Sequence, residues 1–164
     1  MRRVAAIVVV GALVLAFATI VAARATHTKY TSEGLTYFMG DPFDYITRAA
    51  GKWLFLEDLP LGGVYARTLE DGTLEQGFKE ILVSGKVSDD FADGSFHGTT
   101  SIEIRGMTCA GRFQAKRVDY FEQGSMVLQC PDGSKFHEMF QFPADPTASE
   151  WIVYGMGTIL DPHG

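Results

Sequence analysis

The sequence has few basic residues relative to acidic ones, few cysteines, and no second long apolar run. Lysine and arginine number 14 against 20 aspartate and glutamate residues, a net charge of −6. This balance excludes a basic nucleic-acid-binding surface. A channel or transporter with many spans is excluded because only one run is long enough to cross a bilayer. Aromatic residues make up 12% of the chain, too many for an intrinsically disordered protein.

Motifs that carry catalysis or bind metal are also missing. The histidines, His27, His97, His137 and His163, form no H-x-x-x-H pair, and no G-x-S-x-G or phosphate-cradling glycine loop is present. The acidic turn 89–93 lacks the ligand spacing of an EF-hand. We therefore predict no catalytic residue, no metal ligand and no cofactor. A hydrolase or metal enzyme would require His97 or His137 within reach of a carboxylate.

The N-terminal segment 1–24 carries most of the hydrophobicity. Val4 to Ala23 is an uncharged run of twenty residues, which as a helix would be about 30 Å long, the thickness of the bilayer core. Because Arg2 and Arg3 precede the run, we expect a cytoplasmic N-terminus and a periplasmic or extracellular C-terminal domain. The segment is read as a retained single-pass transmembrane anchor. The alternative is a signal peptide cleaved after Ala25, followed by secretion.

Residues 25–62 are interpreted as a juxtamembrane connector with one short helix near 42–50. Asp41 is suited to cap that helix and Pro42 to occupy its first position. The apolar stretch 53–61 is read either as a buried strand ending in a turn at 60–63 or as a contact surface. Aromatic residues near a predicted membrane span are candidates for partner or membrane contact. These candidates are Tyr37, Phe38, Phe43, Trp53 and Phe55.

Residues 63–164 show short segments separated by turn signals, which predicts an antiparallel β meander. The turn signals are at 71–72, 89–94, 105–106, 123–124 and 131–133. The predicted fold class is therefore mainly β, a small barrel or sandwich with one short helix, preceded by a single N-terminal transmembrane helix. Gly98, Gly111, Gly155 and Gly157 lie within predicted strands, where we expect them to mark bulges or strong curvature.

The strand register can be predicted because opposed residues in an antiparallel hairpin have residue numbers with a constant sum, which is twice the number at the centre of the turn. Turn centres near residues 91.5, 105.5, 119.5 and 132 place apolar side chains on one face of the sheet and polar ones on the other. Glu138 on the apolar face and Met139 on the polar face are the exceptions. The predicted apolar face comprises Ile81, Val83, Val87, Phe96, Ile102, Ile104, Met107, Phe113, Met126, Leu128, Phe136 and Phe140. The predicted polar face comprises His97, Thr99, Ser101, Glu103, Thr108, Arg112, Gln114, Lys116, Gln129, Lys135 and His137.

The two cysteines are predicted to form a disulfide. The register with its centre near 119.5 places Cys109 opposite Cys130, at a separation that a disulfide can bridge. An exported domain is in an oxidising compartment, which favours the bond. A redox-active thiol or c-type haem attachment would need C-x-x-C or C-x-x-C-H, and neither occurs.

Residues 109–140 resemble a MORN-type β-hairpin repeat. The resemblance rests on Cys109-Ala-Gly111-Arg-Phe113, on Gly124, and on Asp132-Gly133-Ser-Lys-Phe136 with Phe140. Cys109 replaces the usual aromatic residue, and Met126 and Glu138 replace expected glycines. The resemblance implies a hairpin meander, and no partner or membrane role is carried over from it.

These features favour a non-catalytic, membrane-anchored, exported β domain. Its expected role is that of an accessory or assembly subunit of a larger membrane complex, such as a respiratory or photosynthetic one. Expected partners are the membrane and other subunits of that complex, with no nucleic acid and no identified small molecule. The alternative is a lipocalin-like barrel that binds an apolar ligand in a cavity lined by Phe96, Ile102, Phe113 and Phe136.

Overall fold

The computed structural model describes residues 25–162, and they form one antiparallel β-sheet that closes into a barrel. The predicted transmembrane helix at 4–23 and His163 lie outside the described residues. The strands are β1 (Thr26–Phe38), β2 (Ile46–Ala50), β3 (Trp53–Leu69), β4 (Leu74–Ser88), β5 (Gly94–Ile104), β6 (Met107–Val118), β7 (Phe121–Gln129), β8 (Lys135–Pro143) and β9 (Glu150–Asp161). The order in the sheet is β1-β9-β8-β7-β6-β5-β4-β3-β2.

Pairing between β1 and β3 closes the sheet. β1 bonds to β9 on one side and to β3 on the other, with Gly34 opposite Tyr65 and Thr36 opposite Gly63. Eight strands thus form the barrel, and β2 extends the sheet by pairing with the first residues of β3. A barrel of eight strands is just wide enough for side chains to fill it or for one small ligand.

The barrel has two distinguishable ends. The lower end carries the start of β1 at Thr26, the hairpin turns at 70–73, 105–106 and 130–134, and the end of β9. The upper end carries β2, the β4–β5 and β6–β7 turns, and the loop 144–149 before β9. Segment 1–24 therefore joins the barrel at its lower end.

The predicted alternation of strands β4 to β8 is confirmed. Every residue assigned to the apolar face belongs to the inward-facing set, and every residue assigned to the polar face belongs to the outward-facing set. Three registers are correct, with Ile102 opposite Cys109, Phe113 opposite Met126 and Leu128 opposite Phe136. The β4–β5 register is wrong by two residues, since Val87 pairs with Gly94. A shift of two keeps the same side chains inside.

Residues 25–62 differ most from the expectation. They contribute β1 and much of β3 to the barrel and β2 to the edge of the sheet, so residues 26–38 and 46–62 are part of the β domain. The predicted helix at 42–50 is reduced to a 3-10 helix, Pro42–Tyr45. Asp41 caps it as predicted, accepting a hydrogen bond of 3.0 Å from the Phe43 amide. Ile46–Ala50 form β2 and pair with β3, because tertiary pairing outweighs a weak local helical preference.

Two predicted turns are also absent. Pro60 to Gly63 lie inside β3, which runs without a break from Trp53 to Leu69 apart from a bulge between Leu56 and Leu59. Gln123 and Gly124 lie inside β7, and the turn falls at Asp119 and Tyr120, where the predicted hairpin centre of 119.5 places it. Both residues have positive φ, 50° and 61°, which a pattern of Gly and Pro does not signal.

The described residues 25–162 contain no helix that is long and apolar enough to cross a membrane.

Candidate functional site

The upper half of the barrel contains a cavity of about 210 Å³. It extends from Phe43, Phe91 and Trp151 at the upper end down to Tyr65 in the middle of the barrel. Its walls are mostly apolar, as in typical small-molecule sites. The wall residues include Phe38, Leu56, Leu59, Leu61, Ile81, Val83, Phe96, Phe113, Met126, Phe140 and Phe142.

The lower half of the barrel is filled by side chains. Ile102, Leu128 and Phe136 are at most 2% exposed and pack in one cluster with Ile104 and Ile159. The Sγ atoms of Cys109 and Cys130 lie 2.02 Å apart in this cluster, in the pairing predicted from the sequence. The cavity is therefore closed at the bottom by a packed core.

The cavity predicted for a lipocalin-like barrel is found only in part. Phe96 and Phe113 line the cavity, whereas Ile102 and Phe136 belong to the packed lower cluster. The alternation of the strands placed all four inside the barrel. Which height along the barrel is hollow depends on side-chain volumes from all eight strands, and no single pair of strands determines it.

The inner end of the cavity, which we call the polar floor, consists of Tyr65, Lys79, Glu138, Ser32 and Thr36. The Tyr65 hydroxyl donates a 2.7 Å hydrogen bond to Glu138 Oε2. The hydroxyl of Thr36 is buried and has no hydrogen-bond partner within residues 25–162. Polar groups at the end of an apolar cavity fix the orientation of a ligand.

Lys79 is the unpartnered charge of the polar floor. The residue is 8% exposed and lines the cavity, and it makes no hydrogen bond or ion pair with any part of the described chain. Burial lowers the pKa of its ammonium group to about 8, and the negative charge of Glu138 opposes that shift. An amine with this pKa titrates near pH 8. Its charged form has no counter-ion in contact within the described residues.

The neighbouring tyrosines remain neutral. Burial is the largest cause that raises the pKa of Tyr65 and of Tyr30, and the nearby charge of Glu138 raises both further. The Tyr30 hydroxyl is buried beside Glu138 and Tyr65. Both phenols are therefore neutral groups next to Glu138.

Arg67 lies beneath the polar floor. Its side chain is fully buried, and its guanidinium is 4.1 Å from the ring centroid of Phe136 and 5.4 Å from that of Tyr30. Its Nε donates a 2.5 Å hydrogen bond to Glu75, which also pairs with Arg105. The ion pair and the aromatic rings together compensate for the loss of hydration of a buried cation.

Glycines on adjoining strands provide the space for these side chains. A Cβ on Gly63 would lie 3.0 Å from Lys79 Cε, and one on Gly34 would lie 3.2 Å from Lys79 Nζ. A Cβ on Gly155 would lie 2.5 Å from Glu138 Oε1. Gly155 thus marks a place where a polar side chain needs room.

A second ion pair lies near the mouth of the cavity. Arg117 Nη2 is 2.8 Å from Glu122 Oε2, both residues line the cavity, and the guanidinium is 5.0 Å from the ring centroid of Phe96. Burial raises the pKa of the Glu122 carboxyl, and the charge and hydrogen bonds of Arg117 oppose that shift. Each charge of this pair has a counter-ion in contact, whereas Lys79 has none among the described residues.

The five predicted contact residues fall at the upper end of the barrel but do not share one surface. Tyr37 and Phe43 are 41% and 62% exposed. Phe38 faces inward and contacts Trp151 edge-on, with centroids 4.9 Å apart. Trp53 stacks with Lys86 at 4.6 Å, and Phe55 with Arg48 at 4.0 Å. All five are far from Thr26, where segment 1–24 joins the barrel.

The histidines of the described chain lie away from the cavity. His97 and His137 face outward, and His27 lies near the start of β1. Within residues 25–162 no three His, Cys, Asp or Glu side chains are grouped so that they could hold a metal ion.

Sequence reasoning missed the polar floor, although two signals point to it. Glu138 was recognised as an acidic residue on the apolar face. Lys79 lies two positions before Ile81 on the same strand, so the alternation already directs it inward. Tyr30 and Tyr65 could not be found in this way, because β1 was predicted to be part of a connector and a turn was predicted at 60–63, inside β3.

Comparison with known protein families, with curated proteins and with solved structures gives no match for this chain.

Proposed function

We propose that this barrel binds a small molecule with an apolar body in its upper cavity. The observation that supports the proposal is the apolar cavity above a filled lower core, with uncompensated polar groups at its inner end. A barrel that served only as a rigid scaffold would gain stability by filling this space, because empty volume costs packing contacts.

The cavity sets the scale of the part of the ligand that it encloses. At roughly 30 Å³ for each water-sized group, it encloses about seven such groups. This is below the roughly 300–1,000 Å³ of sites for drug-sized ligands. The expected ligand is thus a single aromatic ring, or a chain of about eight carbon atoms whose far end lies in the open mouth of the cavity.

Binding of 1-octanol to the full-length chain, measured by calorimetry, tests the proposal. Ile81 faces the cavity and its neighbour Leu82 faces outward at 44% exposure, so Ile81→Trp and Leu82→Trp form a matched pair. We expect octanol to bind the wild type and Leu82→Trp and not to bind Ile81→Trp. Absence of binding to the wild type, or equal binding to both variants, would contradict the proposal.

A second candidate function is the accessory-subunit role, with segment 1–24 as an anchor and the barrel outside the cytoplasm. Apolar side chains exposed on β8 and β9 favour it: Met139, Ile152, Tyr154 and Met156 are between 49% and 67% exposed, and Met139 lies directly opposite Met156. Such clusters of exposed apolar side chains mark interaction sites. The sequence of segment 1–24 supports the membrane location.

Gentle detergent extraction followed by identification of co-purifying proteins tests this role. We expect a stoichiometric partner that is lost in a Tyr154→Glu, Met156→Glu variant. It should be retained when Thr99 and Ser101, outward-facing on β5, are changed to Glu. A monomer without any partner from the wild type would exclude the role.

A further inference from the structure

We infer that the ligand of the upper cavity is a monocarboxylate, with its carboxylate on Lys79 and its hydrocarbon chain along the apolar walls towards the upper end. This inference rests on the proposed ligand-binding function and adds the chemical class of the ligand.

Lys79 lacks a counter-ion in contact within the described chain, although the buried charges balance in number. Lys79 and Arg67 are positive, and Glu75 and Glu138 are negative. Glu75 contacts Arg67 and the exposed Arg105. Glu138 lies beyond ion-pair distance of Lys79 and accepts the Tyr65 hydrogen bond. A monoanion in the cavity would supply the contacting partner that Lys79 lacks.

The unused hydrogen-bonding capacity at the floor consists mainly of donors. The ammonium group of Lys79 has three N–H donors, none of them used within residues 25–162, and the buried Thr36 hydroxyl has no partner there either. Glu138 is the ionisable acceptor at the floor, and Tyr65 already occupies one of its oxygens. A ligand that supplies acceptors complements this set, and a carboxylate supplies two charged ones.

The surroundings favour a carboxylate over a neutral or larger anionic group. A neutral alcohol would leave the charge of Lys79 uncompensated in an apolar cavity, which is costly. A phosphate dianion would place two negative charges next to Glu138, where a carboxylate places one. The walls directly above Lys79 are apolar, with Ile81 and Phe113 among them, so the remainder of the ligand must be hydrocarbon.

Calorimetric titration of the full-length chain with octanoate, 1-octanol and octylamine tests the inference. These probes share a chain of eight carbons and differ in the charge of the head group. Since a charge-assisted hydrogen bond is strong in an apolar site, we expect octanoate to bind about ten- to a hundredfold more tightly than octanol at pH 7. Octylamine should bind more weakly than both.

Lys79→Met should remove the preference for octanoate and leave octanol binding equal or tighter. Lys116→Met, on the outer face of β6, is the matched control and should retain the wild-type preference. Octanoate affinity for the wild type should also fall as the pH rises above the range in which Lys79 is protonated. Glu138 on β8 is the charged group that acts on Lys79, and Tyr65 on β3 donates a hydrogen bond to Glu138. Tyr30 on β1 and the Arg67–Glu75 pair lie beyond them, and both tyrosines stay neutral through that range.

The outcomes distinguish failure of the carboxylate inference from failure of the ligand-binding function. Equal affinity for octanoate and octanol in the wild type would overturn the carboxylate inference and leave the ligand-binding function intact. No binding of any probe would overturn both. If Lys79→Met fails to fold, the comparison of head groups in the wild type and its pH dependence still decide the matter.

Discussion

At the scale of single residues, Lys79 makes the stability of the fold depend on pH. Its pKa is about 8 in the folded protein and about 10.4 when the chain is unfolded. Between these values the unfolded chain binds more protons, so the free energy of unfolding rises with pH. The full difference corresponds to about 3 kcal/mol. Above about pH 10 the trend reverses, because unfolded tyrosines ionise while Tyr30 and Tyr65 resist ionisation.

Urea unfolding of the ligand-free protein between pH 7 and 9.5 measures this dependence. We expect the wild type and Lys116→Met to become more stable as the pH rises, and Lys79→Met to show a much smaller rise. Lys79→Met should exceed the wild type in stability at pH 7, since it removes a buried charge. Parallel pH profiles for all three proteins would show that Lys79 is hydrated in the folded state.

Glu75 compensates the other buried cation. The Arg67 side chain has no exposure, and among the described residues two of its nitrogens have no partner and Glu75 is its ionic contact. Glu75→Gln should therefore destabilise the protein by about 3–5 kcal/mol, the usual cost of breaking a buried pair from one side. Urea unfolding provides the measurement.

Glu80→Gln is the control for Glu75→Gln, because Glu80 is exposed on the same strand and makes no ion pair within the described chain. Its effect should stay within about 0.5 kcal/mol. Similar small losses in both variants would show that aromatic packing alone compensates Arg67.

At the scale of strands, close approach of β1 and β3 depends on Gly63. A Cβ on Gly63 would lie 1.9 Å from the Leu35 carbonyl oxygen, and backbone must shift to admit it. Gly63→Val should lower the free energy of unfolding by at least about 2–3 kcal/mol. Faster amide hydrogen exchange in β1 than in β6 would locate the damage at the barrel closure.

Ala66→Val provides the comparison for Gly63→Val, since Ala66 lies three residues later on the outer face of β3. Its effect on stability should be small, because the added methyl groups point away from the barrel. Equal exchange rates in β1 for the two variants would contradict the role of Gly63.

Strand pairing could be predicted from the sequence where turns are short. The hairpins from β5 to β8 have local turns, and a constant sum of residue numbers recovers their partners, including Cys109 and Cys130. The pairing of Gly34 with Tyr65 joins strands separated by a 3-10 helix and β2, and no local signal specifies it. Because residues 25–40 follow the apolar segment 1–24, they were predicted to be a connector and not a strand.

The polar floor was less predictable than the strands, because it also depends on contacts between residues that are far apart in the sequence. Its members come from β1, β3, β4 and β8, so their proximity follows only once the barrel has closed. Glu138 was visible as an exception on one strand. Its interpretation needed Tyr65 and Lys79, which lie across the barrel from it.

At the scale of the whole molecule, ligand binding should stabilise the barrel. A ligand that binds only the folded state adds about 2.7 kcal/mol at a concentration one hundred times its Kd. Octanoate at that concentration should raise the Tm of the wild type and of Leu82→Trp, and leave Ile81→Trp unchanged. An equal rise in both variants would indicate binding to the outer surface.

The mouth of the cavity and Thr26 lie at opposite ends of the barrel. β1 has thirteen residues, so at about 3.3 Å per residue the strand path between the two ends is roughly 40 Å. The proposed ligand would therefore enter and leave at the upper end, opposite Thr26. If segment 1–24 is a membrane anchor, as the sequence predicts, the mouth of the cavity would face away from the membrane, and the ligand would be exchanged with the surrounding water or with a docked protein.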